Sequence, residues 1–133
     1  MHLQIIDNYP FNEFAWFNLA TAYQSLKLYE KAIDAYQYVL VIDEKFDTAY
    51  RNMADAYICI RKYKNAVESL QHVLALTPPE DSIYEAIGHC FYKMHNFSQA
   101  RFYYRKGSHL NPDESKFYYK IALTYFKEKQ LES

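Results

Sequence analysis

A pattern of large and small side chains returns along this chain every 34 residues. In its first occurrence, large rings at Trp16 and Tyr23 enclose a small residue, Ala20. Three successive shifts of 34 residues lead to closely similar sets: Tyr50, Met53, Ala54 and Tyr57; then Tyr84, Ile87, Gly88 and Phe91; then Tyr118, Ile121, Ala122 and Tyr125. Such a period predicts a stack of similar structural units, because each unit buries its apolar face only against a neighbour.

Each repeat contains two stretches in which apolar residues recur with helical spacing. In residues 16–23 they fall at i, i+3, i+4 and i+7, which places them on one face of a helix. Residues 29–40 show the same spacing. The few residues near 26–28 that separate the stretches are enough only for an antiparallel helical hairpin. The sequence therefore predicts seven main helices and a short N-terminal helical remnant.

The small residues predict where the helices of a hairpin come closest. Two helices approach closely only where a small side chain faces the partner helix, and neighbouring rings then fill the remaining space. Ala20 and Ala32 are the predicted contact points of the first repeat, and Gly88 takes this place in the third. Between the repeats, prolines and polar residues predict helix ends and N-caps: Pro10, Pro78 and Pro112, with Asn12, Asp47, Asp81 and Asp113.

The full pattern, W-x2-L-G-x2-Y followed by A-x3-F and P, resembles the tetratricopeptide repeat. The resemblance implies an all-α fold, an α-solenoid of antiparallel helical hairpins that winds into a right-handed superhelix. It divides one domain, residues 1–133, into three full repeats and two part-repeats: 1–12 as the remnant of a preceding second helix, 13–46, 47–80, 81–114, and 115–133 as the first helix of a fourth. Both part-repeats lead us to expect a piece of a longer protein, with an uncovered apolar face from Tyr118 to Phe126.

One departure from the family pattern concerns the turn inside each hairpin. The family has glycine there, whereas this chain has Lys27, Arg61, His95 and Lys129. Since a left-handed conformation strains residues other than glycine, we expect these turns to close in a different way.

The resemblance also implies a function, which is to bind a peptide or partner segment in a concave groove lined by the first helices. The expected partner is a protein, for which the chain would act as a scaffold or adaptor. We expect the partner to place apolar side chains toward Phe17 and Tyr92 and an acidic group toward Lys116 and Lys120. Packing under a preceding repeat is the alternative for Phe17 and the expected role of Phe14. The predicted groove residues are Phe17, Asn18, Thr21, Arg51, Asn52, Asp55, Glu85, His89, Tyr92, Lys116, Tyr119 and Lys120, with Gln24 at the end of the first helix.

A subfamily of these repeats binds a C-terminal carboxylate through lysine, asparagine and arginine side chains. When the pattern of this subfamily is aligned so that it begins at the second repeat, basic residues occupy its cationic positions: Arg51, Lys116 and Lys120. Asp55 and Ala86 replace its two asparagines, and the charge of Asp55 would repel a carboxylate. The sequence therefore argues against this clamp, although it leaves open what else the groove binds.

Other classes of function lack a sequence signal. The 15 basic and 16 acidic residues nearly cancel, which argues against nucleic-acid binding. We expect no cofactor, no metal site and no catalysis, because the five histidines show no ligand spacing and adjacent His89 and Cys90 point about 100° apart on a helix. A cytoplasmic protein is expected, with no membrane segment. Self-association through open repeat ends remains the alternative to peptide binding.

Overall fold

The computed structural model describes residues 12–132, and every regular element among them is an α-helix. The helices in chain order are α1 (Glu13–Ser25), α2 (Tyr29–Ile42), α3 (Asp47–Cys59), α4 (Tyr63–Leu76), α5 (Asp81–Lys93), α6 (Phe97–Leu110) and α7 (Ser115–Glu132). Within this described range, the predicted all-α class and the seven main helices are confirmed. The predicted N-terminal remnant falls almost entirely on residues outside the described part.

The helices belong to two compact units that divide between Leu76 and Thr77. In the first unit α1 packs against α2, α2 against α3, and α3 against α4. In the second unit α5 packs against α6 and α6 against α7. Each first helix except α7 is thus paired with its own second helix, as the hairpin prediction requires.

The small residues of the repeat lie where the helices are closest, as predicted. A Cβ added to Gly88 would lie only 2.6 Å from Cε1 of Tyr104, so a ring of α6 packs directly against the α5 backbone. Ala122 of α7 differs because it is exposed. The corresponding alanines of the paired helices are all fully buried: Ala20, Ala32, Ala54, Ala66 and Ala100.

The turns inside the hairpins correct the expectation that they would avoid a left-handed residue. Lys27, Arg61 and His95 have φ values of 63°, 62° and 60°. After α1, the Leu28 N–H donates to the Tyr23 carbonyl at 2.9 Å, and the Lys27 N–H donates to the carbonyl of residue 24 at 2.9 Å. The same two bonds recur in the other two turns. They satisfy helix-end carbonyls, and this gain outweighs the strain.

The fourth predicted turn position does not form a turn. Lys129 lies inside α7, which continues to Glu132. The prediction of a turn there was wrong because nothing in the described chain folds back onto α7.

Of the four predicted N-caps, one is confirmed and three are wrong. The side chain of Asn12 accepts hydrogen bonds from the N–H groups of Phe14 and Ala15 at 3.0 and 3.2 Å, and so caps α1. Asp47 and Asp81 instead occupy the first turns of α3 and α5. In the first turn of a helix, a carboxylate is still stabilised by the positive end of the helix dipole. Asp113 lies two residues before α7 begins at Ser115, outside the N-cap position.

Candidate partner-binding grooves

In the first unit, the predicted groove residues of α1 and α3 form a mostly polar strip. Asn18 and Asp55 are exposed, while Thr21 and Arg51 are half-buried. The Thr21 hydroxyl donates to the Asn18 carbonyl at 2.9 Å. The Arg51 Nε donates to a carboxylate oxygen of Asp47, one helical turn earlier, at 3.2 Å. These side chains leave Asn18 and Asp55 as the most accessible polar groups of the strip.

A series of hydrogen bonds links three helices of the first unit near this strip. The Tyr36 hydroxyl donates to Oε1 of Gln24 at 2.5 Å, and Nε2 of Gln24 donates to the Asn52 carbonyl at 3.2 Å. Burial raises the pKa of Tyr36 to about 12, although a hydrogen bond with the Asn52 side chain lowers it. Gln24, expected to face a partner, therefore uses both polar atoms of its side chain to link α2 and α3 to α1.

The aromatic residues at the start of α1 pack within their own repeat. Phe17 stacks on Phe46 with ring centroids 5.0 Å apart, and meets Tyr36 edge to face at 5.9 Å. Phe14 also contacts the Phe46 ring, at 5.9 Å, but remains exposed. The segment that would form a preceding repeat lies outside the described residues. Sequence reasoning missed Phe46, for which the only signal was a large ring at the junction between two repeats.

In the second unit, two lysines of α7 converge on one carboxylate of α5. The Nζ atoms of Lys116 and Lys120 lie 3.0 and 3.1 Å from Oε1 and Oε2 of Glu85. Burial alone would raise the pKa of the Glu85 carboxyl, but the hydrogen bonds from both lysines outweigh it and the pKa is lowered. The same bond raises the pKa of Lys116. The three predicted groove residues thus form one cluster with two positive charges and one negative charge.

The groove side of α5 becomes less polar beyond this cluster. Burial, followed by the charge of Lys120, lowers the pKa of His89, so the imidazole is neutral at physiological pH. Tyr92 is half-buried and meets the Phe97 ring edge to face at 5.8 Å. Tyr119 on α7 is 67% exposed. Of the predicted aromatic anchors of this unit, Tyr119 is the accessible one and Tyr92 partly supports the fold.

Sequence reasoning missed a buried arginine that holds α7 against α6. The guanidinium of Arg101 donates to the Thr124 hydroxyl at 3.2 Å, pairs with Glu128 at 3.0 Å and lies 4.0 Å from the centre of the Tyr125 ring. The signal that could have revealed it was a break in the repeat. The two earlier repeats have buried apolar residues at this place, Ile33 and Val67.

The two cysteines of the described chain lie in different surroundings, since Cys59 is exposed and Cys90 is buried. Cys90 is fully buried, and burial raises the pKa of its thiol to about 12, so the nucleophilic thiolate is suppressed. Within residues 12–132, no group of three histidine, cysteine or carboxylate side chains is arranged to hold a metal ion. No helix in that range has both the length and the apolar character to cross a membrane.

Solved structures resemble the chain over most of its length. A crystal structure of MamA has 23% identity and a TM-score of 0.86, and the match covers 96% of this chain and 75% of that chain. YrrB, a TPR protein with an unusual peptide-binding site, has 19% identity, a TM-score of 0.76 and coverages of 98% and 68%. The first TPR of Spaghetti (RPAP3), bound to the HSP90 peptide SRMEEVD, has 19% identity, a TM-score of 0.74 and coverages of 91% and 94%. At these identities the likeness shows a common fold.

The sequence itself matches two family models. No match was found among curated proteins. Both models describe a tetratricopeptide repeat, and they match residues 14–46 and 49–84. Together with the 34-residue period and the helical hairpins, these matches show that the chain belongs to the tetratricopeptide repeat family, whose members are typically non-catalytic protein–protein interaction modules.

Proposed function

We propose that this chain is an interaction module that binds a peptide or partner segment along the groove faces of its first helices. These faces belong to α1 and α3 in the first unit and to α5 and α7 in the second. Structural neighbours with bound peptides or peptide-binding sites support the proposal by analogy. It also has support from residues such as Asn18, Asp55 and Tyr119, which lie outside the hairpin cores and remain exposed.

The observation that carries the proposal is the cluster of Glu85, Lys116 and Lys120. Both lysine ammonium groups bind the two oxygens of one carboxylate, so their spacing suits a carboxylate. The three residues together keep one excess positive charge, which is partly offset at Lys116 by the carboxylates of Glu114 and Asp81. The proposed attraction of an acidic side chain of a partner is therefore strongest at Lys120. That side chain either shares the lysines with Glu85 or displaces it.

Charges and rings contribute differently to such an interface. The lysines are partly solvated, so each should add modestly to affinity and mainly increase the association rate at low salt. An exposed ring that becomes buried against the partner should contribute more, up to about 2 kcal/mol or beyond for a central anchor. Our candidates for this role are Tyr119, which is 67% exposed, in the second unit and Phe14, which is 61% exposed, in the first.

The test begins with a random peptide library displayed on phage and selected against the intact chain. The affinity of a selected peptide is then measured by fluorescence anisotropy for the wild type and for Tyr119→Ala. Loss of the ring should weaken binding about tenfold or more. The matched control is Tyr118→Ala on the same helix, because Tyr118 is 54% exposed but points away from the predicted groove. Equal losses in both variants would contradict the proposal.

A second pair of variants tests the charges. Lys120→Gln should weaken binding of an acidic peptide and reduce the effect of doubling the salt concentration, because one attractive charge is lost. Lys64→Gln is the control, since Lys64 is an exposed lysine on the second helix α4. If both variants bind with the salt dependence of the wild type, the lysine cluster is not the contact site.

A further inference from the structure

The first helices of the first unit carry an excess of negative charge. Together α1 and α3 contain three acidic residues and one basic residue: Glu13, Asp47 and Asp55, with Arg51. Arg51 pairs with Asp47 at 3.2 Å, and Glu13 lies in the first turn of α1, where the helix dipole stabilises it. Asp55 is therefore the groove-side charge that α1 and α3 leave uncompensated.

The Asp55 carboxylate lies where the fold removes part of its water. Its side chain still reaches solvent, but burial raises the pKa of the carboxyl, and no neighbouring cation in the described part of the chain lowers it. The raised pKa of Tyr36 has burial as its main cause and the charge of Asp55 as a further one, so the carboxylate lies near that tyrosine. A carboxylate that has lost water without gaining a cation is stabilised by a positive group that approaches it.

The polar groups around this carboxylate are uncharged and already engaged with one another. The Tyr36 hydroxyl donates to Oε1 of Gln24, and Nε2 of Gln24 donates to the Asn52 carbonyl. These bonds link α1, α2 and α3, so breaking them to solvate Asp55 would weaken the packing of the unit. The protein therefore offers Asp55 a fixed neutral surrounding and no positive charge.

Charge determines which partner group fits this place. An acidic group is repelled by Asp55, as the sequence already indicates. A neutral segment that covers Asp55 removes more of its water and leaves the charge unpaired, which is costly. A basic side chain replaces that water with charge-assisted hydrogen bonds. Of the three kinds of group, the basic one is favoured.

We infer that Asp55 forms a subsite in the groove of the first unit for a basic side chain, lysine or arginine, of the partner segment. The inference rests on the proposed function, because it names the chemistry that this part of the groove recognises. It concerns a different unit from the cluster of Glu85, Lys116 and Lys120, to which an acidic group is assigned.

The test is a subtractive selection, in which the random peptide library is depleted on Asp55→Asn and then selected on the intact wild-type chain. The recovered peptides should share a lysine or an arginine. One of them is synthesised with blocked ends, and its affinity is measured by fluorescence anisotropy. Replacing its basic side chain with neutral norleucine or citrulline should weaken binding to the wild type about fivefold, as for an exposed ion pair. The same replacement should weaken binding to Asp55→Asn less than about twofold, because the pairing is already lost.

Asp34→Asn is the matched control, since Asp34 is an exposed aspartate on the second helix α2. It removes the same charge from the chain and should leave the fivefold difference unchanged. Circular dichroism of Asp55→Asn should match the wild type, because the side chain is exposed.

Either of two results would overturn the inference. The first is a subtractive selection that yields no peptide, or peptides without a shared basic residue. The second is a basic residue whose loss weakens binding equally to the wild type and to Asp55→Asn. Both leave the proposed function standing if selection without depletion still yields peptides whose binding Tyr119→Ala weakens. Failure of that selection as well would count against both.

Discussion

Replacing the left-handed residues of the hairpin turns with glycine should stabilise the protein. Lys27 and Arg61 are exposed and have φ values of 63° and 62°. A left-handed conformation costs a residue with a Cβ roughly 1–2 kcal/mol. Glycine avoids this cost but loses about 0.5–1 kcal/mol through its greater freedom in the unfolded chain. Lys27→Gly or Arg61→Gly should therefore raise the free energy of unfolding by about 0.5–1 kcal/mol.

Comparison with the third turn, at His95, tests how much the gain from glycine depends on other contacts of the replaced side chain. His95 has a φ of 60°, but its ring also stacks on Phe97 with centroids 5.7 Å apart. His95→Gly relieves the same strain and loses that contact, so its gain should be smaller than that of Lys27→Gly.

Urea denaturation monitored by circular dichroism measures these differences. Lys27→Ala is the first control, since it removes the charge and keeps the strain, and it should leave stability nearly unchanged. Gln71→Gly is the second control, because it places glycine at an exposed position inside α4 and should cost about 1 kcal/mol. If Lys27→Gly lowers stability as Gln71→Gly does, the reasoning about turn strain is refuted.

Three further experiments test the packing, an ion-pair cluster and a buried hydrogen bond. Ala66→Leu should lower the free energy of unfolding by roughly 1–3 kcal/mol through over-packing, whereas exposed Asn18→Ala should change it by less than about 0.5 kcal/mol, and denaturant melts compare the two. The pKa of the Glu85 carboxyl is lowered from its ordinary value of 4.5, so its ion pairs should stabilise the fold at neutral pH. This stabilisation should be lost as the pH falls below 4.5 and the carboxyl becomes protonated in the folded protein. Glu85→Gln should remove that part of the pH dependence in thermal melts. Tyr36→Phe should lower the free energy of unfolding by about 1 kcal/mol, because the side-chain oxygen of Gln24 loses its hydrogen-bond donor. In an ultraviolet titration, the same substitution should remove a tyrosine that ionises near pH 12.

The repeat spacing was enough to predict the helices and their hairpins. The turn expected near residues 26–28 lies between the end of α1 at Ser25 and the start of α2 at Tyr29. Burial determines this pattern, since a residue that packs against a neighbouring helix must recur with the period of the helix and of the repeat. For the same reason the contact alanines, such as Ala32, were identifiable without coordinates.

Details that depend on hydrogen-bond geometry were not predictable from the spacing. The left-handed turn at Lys27 forms because backbone hydrogen bonds outweigh a local strain. The residue types in the turn do not show in advance which of these two effects is larger. Gln24 was assigned to the groove by its helical position, but the reach of its side chain toward Tyr36 determines its role. The pairing of Glu85 with Lys116 likewise depends on the approach of α5 and α7.

The central claim, that the first helices bind the partner, is tested most directly by nuclear magnetic resonance of the isotope-labelled chain with a library-selected peptide. We expect the largest amide shift changes on the groove sides of α1 and α3, or of α5 and α7, with Tyr119 and Lys120 among those affected if the second unit binds. A shallow depression of about 370 Å³ on α2, lined by Asp34, Gln37, Tyr38 and Val41, offers a competing surface. Shift changes confined to that depression, or to α4 and α6, would contradict the account.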